Sequence, residues 1–137
     1  MSIQYKELLE EAKKISTKAY SPYSMFPVGA AILYENGKIY TGCNVENASY
    51  GLSLCAERNA MSSAIADGTT EKIKAIAVYS PYQSKCLPCG ACRQWLSEFC
   101  ISEEETEIIL EDENKEPMVL KLKDIFPFGF KLEDKKR

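Results

Sequence analysis

Apolar side chains at Tyr5, Leu8, Leu9, Ala12, Ile15 and Ala19 recur at intervals of three and four, the stripe of an amphipathic helix that stops at Ser21-Pro22. The period then shortens. Gly29 to Tyr34 and Lys38 to Asn44 flank Asn36-Gly37, a two-residue hairpin signal, so the first two strands are expected to pair antiparallel. Helical spacing returns in Ala60, Met61, Ala64 and Ile65, in a helix that follows Cys55 and ends at Asp67-Gly68, where glycine suits a C-terminal cap. Ile73 to Ser80 reads as a buried strand. The next helix is expected to open with Pro88 at its first position. Glu107 to Leu110 and Met118 to Leu122 follow as strands around a polar, turn-prone segment, before a short terminal helix. Strand, helix and strand in succession favour a parallel central pairing with helices covering the sheet. The expected fold is α/β: a three-layer α/β/α sandwich around a five-stranded mixed sheet. Repeats, low-complexity segments and linkers are lacking, so residues 1–137 read as a single domain, with 131–137 a polar C-terminal tail.

Composition narrows the classes. A chain of 137 residues, 45% of them hydrophobic, can bury a core without disulfide staples. No apolar run is long enough to span a bilayer and the start, Met1 to Glu7, lacks a signal-peptide core, so a cytoplasmic protein is expected. The net charge is −3, and the only basic run, Lys135-Lys136-Arg137, is a terminal tail. Nothing in this pattern suits a nucleic-acid groove or a membrane partner.

The chemistry lies in the cysteines. There are six, with no histidine, and two motifs stand out: Cys55-Ala56-Glu57 and Pro88-Cys89-Gly90-Ala91-Cys92. Cys89 and Cys92, three apart at a helix start, project from one side of the first turn, and Cys55 lies at a second helix N-terminus. Helix N-termini favour thiolate over thiol, the form that binds metal. Three thiolates on one zinc leave the fourth position open to water, the mark of a catalytic rather than a structural site. Arg58, on the helical face of Cys55, can offset the excess negative charge from behind the ligands. Glu57 would point about 200° away from Cys55 in a regular helix, so it reads as a proton carrier and not as a ligand. Two other readings stay open. An even number of cysteines permits a disulfide framework, which belongs to secreted chains. Cys86 could also close the metal site as a fourth ligand, giving a noncatalytic zinc-stabilised module; otherwise Cys43, Cys86 and Cys100 are ordinary reduced thiols.

Four stretches together resemble the small homotetrameric cytidine deaminases over nearly the whole chain: Ser21 to Ala31, Gly42 to Tyr50, Cys55 to Arg58, and Pro88 to Gln94. The resemblance implies Cys55, Cys89 and Cys92 as ligands of one Zn2+ per chain, Glu57 as the proton shuttle, and Arg58 as the arginine behind the thiolates. It also implies Asn44 and Glu46 at the ribose, Phe26 as an aromatic wall, the Ala56 backbone at the pyrimidine, and Tyr50 and Phe130 as candidates for a neighbouring subunit's pocket. The activity implied is hydrolytic deamination of free cytidine and deoxycytidine in pyrimidine salvage, in a homotetramer with pockets at subunit interfaces. Asn44 and Glu46, two apart on a strand, would face one sugar together. Leu87 departs from the small polar residue common in the family. Related deaminases of aminoacyl-nucleoside antibiotics share the metal motifs, but the complete Asn44 to Tyr50 segment favours an ordinary nucleoside.

Overall fold

The hydrophobic periods of the sequence become ten elements' worth of backbone in the computed structural model, which describes residues 5–132. The basic run Lys135 to Arg137, most of the polar tail and the first four residues lie outside the described residues. The elements are α1 (Tyr5–Ser16), β1 (Gly29–Tyr34), β2 (Ile39–Cys43), a 3-10 turn (Tyr50–Leu52), α2 (Ala56–Ala66), β3 (Ile73–Tyr79), α3 (Gly90–Phe99), β4 (Glu107–Glu111), β5 (Pro117–Lys121) and α4 (Leu122–Ile125). No helix among the described residues is long and apolar enough to cross a membrane.

The five strands form one mixed sheet in the order β2-β1-β3-β4-β5. Only β3 and β4 run parallel, joined by the crossover through α3, as the strand-helix-strand order predicted. β1 lies between β2 and β3, antiparallel to both. Alternation along the strands sorts the core into two layers. Ala31, Leu33, Ala75, Ala77 and Ile109 meet Leu8, Leu9 and Ala12 of α1 on one face. Ala30, Ile32, Ile76, Val78, Ile108 and Leu110 share the other face with α2 and α3, through residues such as Met61 and Leu96. Every residue of β1 is buried because both its faces are covered.

Three local expectations are corrected. α1 ends at Ser16, short of Ser21-Pro22, because the hydroxyls of Ser16 and Thr17 donate to the carbonyls of Lys13 and Lys14, both at 2.7 Å. The following amides reach only three residues back, and the chain turns so that Tyr20 pairs with Val45. The hairpin loop has three residues, 35–37, not two: Gly37 alone is left-handed (φ +88°), and Tyr34 N–H donates to Lys38 C=O across it at 2.9 Å. Asn36 instead accepts the Lys38 amide at its Oδ1, 3.0 Å away. Pro88 precedes α3 rather than opening it. Cys89, in extended conformation (ψ 170°), is the N-cap residue, and its carbonyl accepts the Arg93 amide at 2.9 Å.

One glycine sets the position of the site. A Cβ at Gly42 of β2 would stand 2.4 Å from Ala60 N and 2.6 Å from Ala56 O, so only glycine lets the first turns of α2 lie directly on the strand. That contact brings the start of α2 beside the end of β2.

Candidate active site

Cys55 and Cys89 occupy equivalent places in the fold. Each is the N-cap of its helix, with extended backbone (φ −74°, ψ 154° and φ −69°, ψ 170°), and Cys92 lies on the first turn of α3. The two helix starts meet there, and the three Sγ atoms lie within 4.8 Å of one another. Cys55 Sγ is 3.8 Å from Cys89 Sγ, which is 3.5 Å from Cys92 Sγ. A tetrahedral zinc with Zn–S bonds of about 2.3 Å spaces its sulfurs by about 3.8 Å, so the trio fits that ion. All six cysteines are free thiols, which removes the disulfide framework.

The electrostatics agree with a cation site. A hydrogen bond from the Cys92 thiol, then Arg58 and Cys89, hold the Cys55 thiol down to about 5 against the effect of burial. The same shared charge pushes Cys92 up. Arg58 Nη2 donates to Cys55 Sγ at 3.6 Å, and its buried Nε has no hydrogen-bond partner among the described residues. Three sulfurs competing for so little positive charge would all ionise with a divalent metal among them.

Glu57 is 4% exposed, and burial pushes its carboxyl up to about 7, with the Cys55 charge reinforcing the shift. It stands outside the sulfur trio. Cys55 is an extended cap rather than a helical residue, so the backbone between them, and not a 200° helical turn, sets the two side chains apart. Cys86 is also buried beside Glu57 and outside the trio, its thiol pushed up to about 11 by burial. It remains a neutral wall group.

A cleft of about 270 Å³ runs from Cys55, Glu57 and Cys89 to Phe26, Asn44 and Glu46. The buried Ala56 forms part of its floor. Asn44 and Glu46 lie past the end of β2, not on it; the alternation persists because Val45 makes single bridges to Tyr20 and Leu54. Both side chains also hold up the facing loop. Asn44 Oδ1 accepts the Val28 amide at 2.8 Å, and its Nδ2 donates to Phe26 C=O at 2.9 Å. Glu46 Oε1 accepts the amides of Tyr23 and Ser24 at 3.0 and 3.1 Å, and Oε2 accepts the Ser24 hydroxyl. The Ser24 hydroxyl, and less strongly the two amides, hold the Glu46 carboxyl below the usual carboxylate range. A carboxylate has about four acceptor directions and a primary amide four hydrogen-bonding places in all. Glu46 therefore keeps one acceptor place, and Asn44 one donor and one acceptor, for a hydroxyl-bearing ligand.

Residues 2–106 match the cytidine and deoxycytidylate deaminase zinc-binding region. The chain belongs to this deaminase family. A cytidine deaminase from Halalkalibacterium halodurans is 39% identical over 127 residues, which cover 93% of this chain and 94% of that protein. Another, from Sporosarcina psychrophila, is 51% identical over 94 residues, 69% of this chain and 68% of that one. The crystal structure of cytidine deaminase from Burkholderia pseudomallei has a TM-score of 0.85 at 42% identity, covering 93% of this chain and all (100%) of the other. The expected α/β/α layering is thus the cytidine deaminase fold.

Two residues that the resemblance draws toward a pocket stand away from this one in the deaminase chain. Tyr50 is 74% exposed on the 3-10 turn, its ring centroid 5.8 Å from that of Tyr23, in a hollow adjoining the cleft at Glu46 and Ser53. Phe130 is also exposed, and its backbone N–H and C=O are paired with the side chain of Gln94. Sequence reasoning missed Ser24, Ser53 and Leu54. Leu54 reaches the cleft through its bridge to Val45, a pairing that no local period announces.

Proposed function

We propose that this deaminase, acting as a single domain, converts free cytidine and deoxycytidine to uridine and deoxyuridine, consuming water and releasing ammonia. The observation that carries the reading is a buried carboxyl, Glu57, beside a three-sulfur cluster at one end of a cleft whose other end presents Asn44 and Glu46. Cys55, Cys89 and Cys92 would hold one zinc ion per chain, which when bound supplies a Lewis acid and a water of lowered pKa. Arg58 offsets the thiolate charge. Glu57 accepts a proton from the attacking water and delivers it to ring N3, which makes C4 electrophilic. It then carries a second proton to the departing amine. A carboxyl whose burial raises its affinity for protons suits both transfers.

Asn44 and Glu46 would share a sugar hydroxyl, the glutamate accepting and the amide donating, while Phe26 and the Ala56 backbone flank the pyrimidine. Among the described residues no lysine or arginine lines the cleft, which supports a nucleoside over a nucleotide or polynucleotide. The exposure of Tyr50 and Phe130 supports a homotetramer in which they reach a neighbour's pocket. A cytoplasmic enzyme of pyrimidine salvage fits this activity. The test is the ultraviolet absorbance of cytidine and deoxycytidine incubated with purified protein, together with metal content. Loss of the cytosine band with about one zinc per chain is expected. Bound zinc without turnover of either nucleoside would overturn the proposal.

A further inference from the structure

Phe26 and Glu46 face one cleft from separate segments of chain, and the side chain that joins them does not line it. The Ser24 hydroxyl donates to Glu46 Oε2 and accepts the Phe26 amide at 3.0 Å. It is thus a two-way link between the carboxylate at one side of the cleft and the backbone of its aromatic wall. Asn44 holds the same residue at its carbonyl, in the next peptide, so Ser24 completes a closed set of hydrogen bonds around residues 24–28 and 44–46. The turn between them is strained. Met25 is left-handed (φ +59°) although it is not glycine, and its side chain is 71% exposed, so packing does not select that conformation. Hydrogen bonds do: Met25 N–H to Ser21 C=O at 2.9 Å, and those made by Ser24 on either side.

We infer that Ser24 is a positioning residue for sugar recognition, orienting the free acceptor place of Glu46 and fixing the backbone of Phe26 without touching the substrate itself. This rests on the deaminase reading above. Without the hydroxyl, Glu46 keeps two amide bonds to Oε1, but no other hydrogen bond among the described residues holds Oε2 in place, and the Phe26 amide turns to water. The loop is exposed, so the consequence falls on ligand geometry more than on folding.

The experiment is steady-state kinetics on cytidine with the zinc-loaded enzyme. Ser24→Ala should raise KM about 10-fold with kcat within about twofold of wild type, and Ser24→Thr, which keeps the hydroxyl, should restore KM. Placed on a Glu46→Ala background, Ser24→Ala should raise KM by less than it does on wild type, because one of the two groups through which the residue acts is already gone. An unchanged KM, an equal rise on both backgrounds, a failure of threonine to restore it, or a melting temperature far below wild type would each overturn the positioning role. Absence of cytidine turnover by the wild-type protein would reject the deaminase reading, and this role with it, before any variant is compared.

Discussion

The two ends of the cleft are built in opposite ways. At the sulfur end, the three cysteines and Arg58 come from within a few residues of two helix starts, and Glu57 and Cys92 are buried. At the opposite end, Asn44 and Glu46 reach across to an exposed loop and are held by at least five hydrogen bonds to residues 23–28. Placement on two helix starts, with Glu57 and Cys92 buried, fixes the first end, whereas overlapping hydrogen bonds fix the second. Damage at the sulfur end should therefore appear in the metal, the chemical step and the fold together. Damage at the Asn44–Glu46 end should appear in substrate affinity alone.

The sharpest way to break this contrast is Glu57→Gln. Glutamine keeps the volume and loses the proton, so kcat should fall by about 10⁴-fold or more while bound zinc is retained. Near-normal turnover in that variant would remove Glu57 from the chemistry. Cys89→Ala comes next: metal analysis should find the zinc lost, and melting should fall by about 10 °C, since binding and folding are linked at such a site. A stable, fully metallated Cys89→Ala protein would contradict the ligand assignment. Gly42→Ala tests whether the strand contact positions the sulfur end. Its new methyl would meet the Ala60 and Ala56 backbone at 2.4 and 2.6 Å, and we expect about 2 kcal/mol of destabilisation in chemical denaturation, accompanied by lower kcat. The smallest effect belongs to the other end. Glu46→Gln keeps an acceptor but not the charge, and KM should rise about 10-fold with kcat and melting temperature nearly unchanged. A fall in melting temperature as large as that of Gly42→Ala would erase the distinction between the two ends.

The order of elements was legible because each hydrophobic period is a local property. Leu8, Leu9 and Ala12 sit on one helical stripe, and Ala30, Ile32 and Ala31, Leu33 alternate across β1, whatever the rest of the chain does. The parallel β3-β4 pairing followed from a connection rule. The metal motifs were legible for the same reason, as cysteines placed at two helix starts. Boundaries were less so: the hydroxyls of Ser16 and Thr17 ended α1 early, and the cap fell on Cys89 rather than on Pro88.

The sequence by itself thus determined which elements form, the layered α/β class, and three cysteines with one carboxyl suited to metal and proton chemistry. Tertiary structure alone decided that Sγ atoms 34 residues apart in sequence approach to 3.8 Å, that Cys86 stays outside the trio, and that burial raises Glu57 toward neutrality. It also decided the bonds from Glu46 to Tyr23 and Ser24, across 23 and 22 residues. The physical reason is range: hydrophobic periodicity and turn chemistry act between neighbours along the chain, whereas desolvation and side-chain hydrogen bonds depend on what the closed fold brings within a few ångströms.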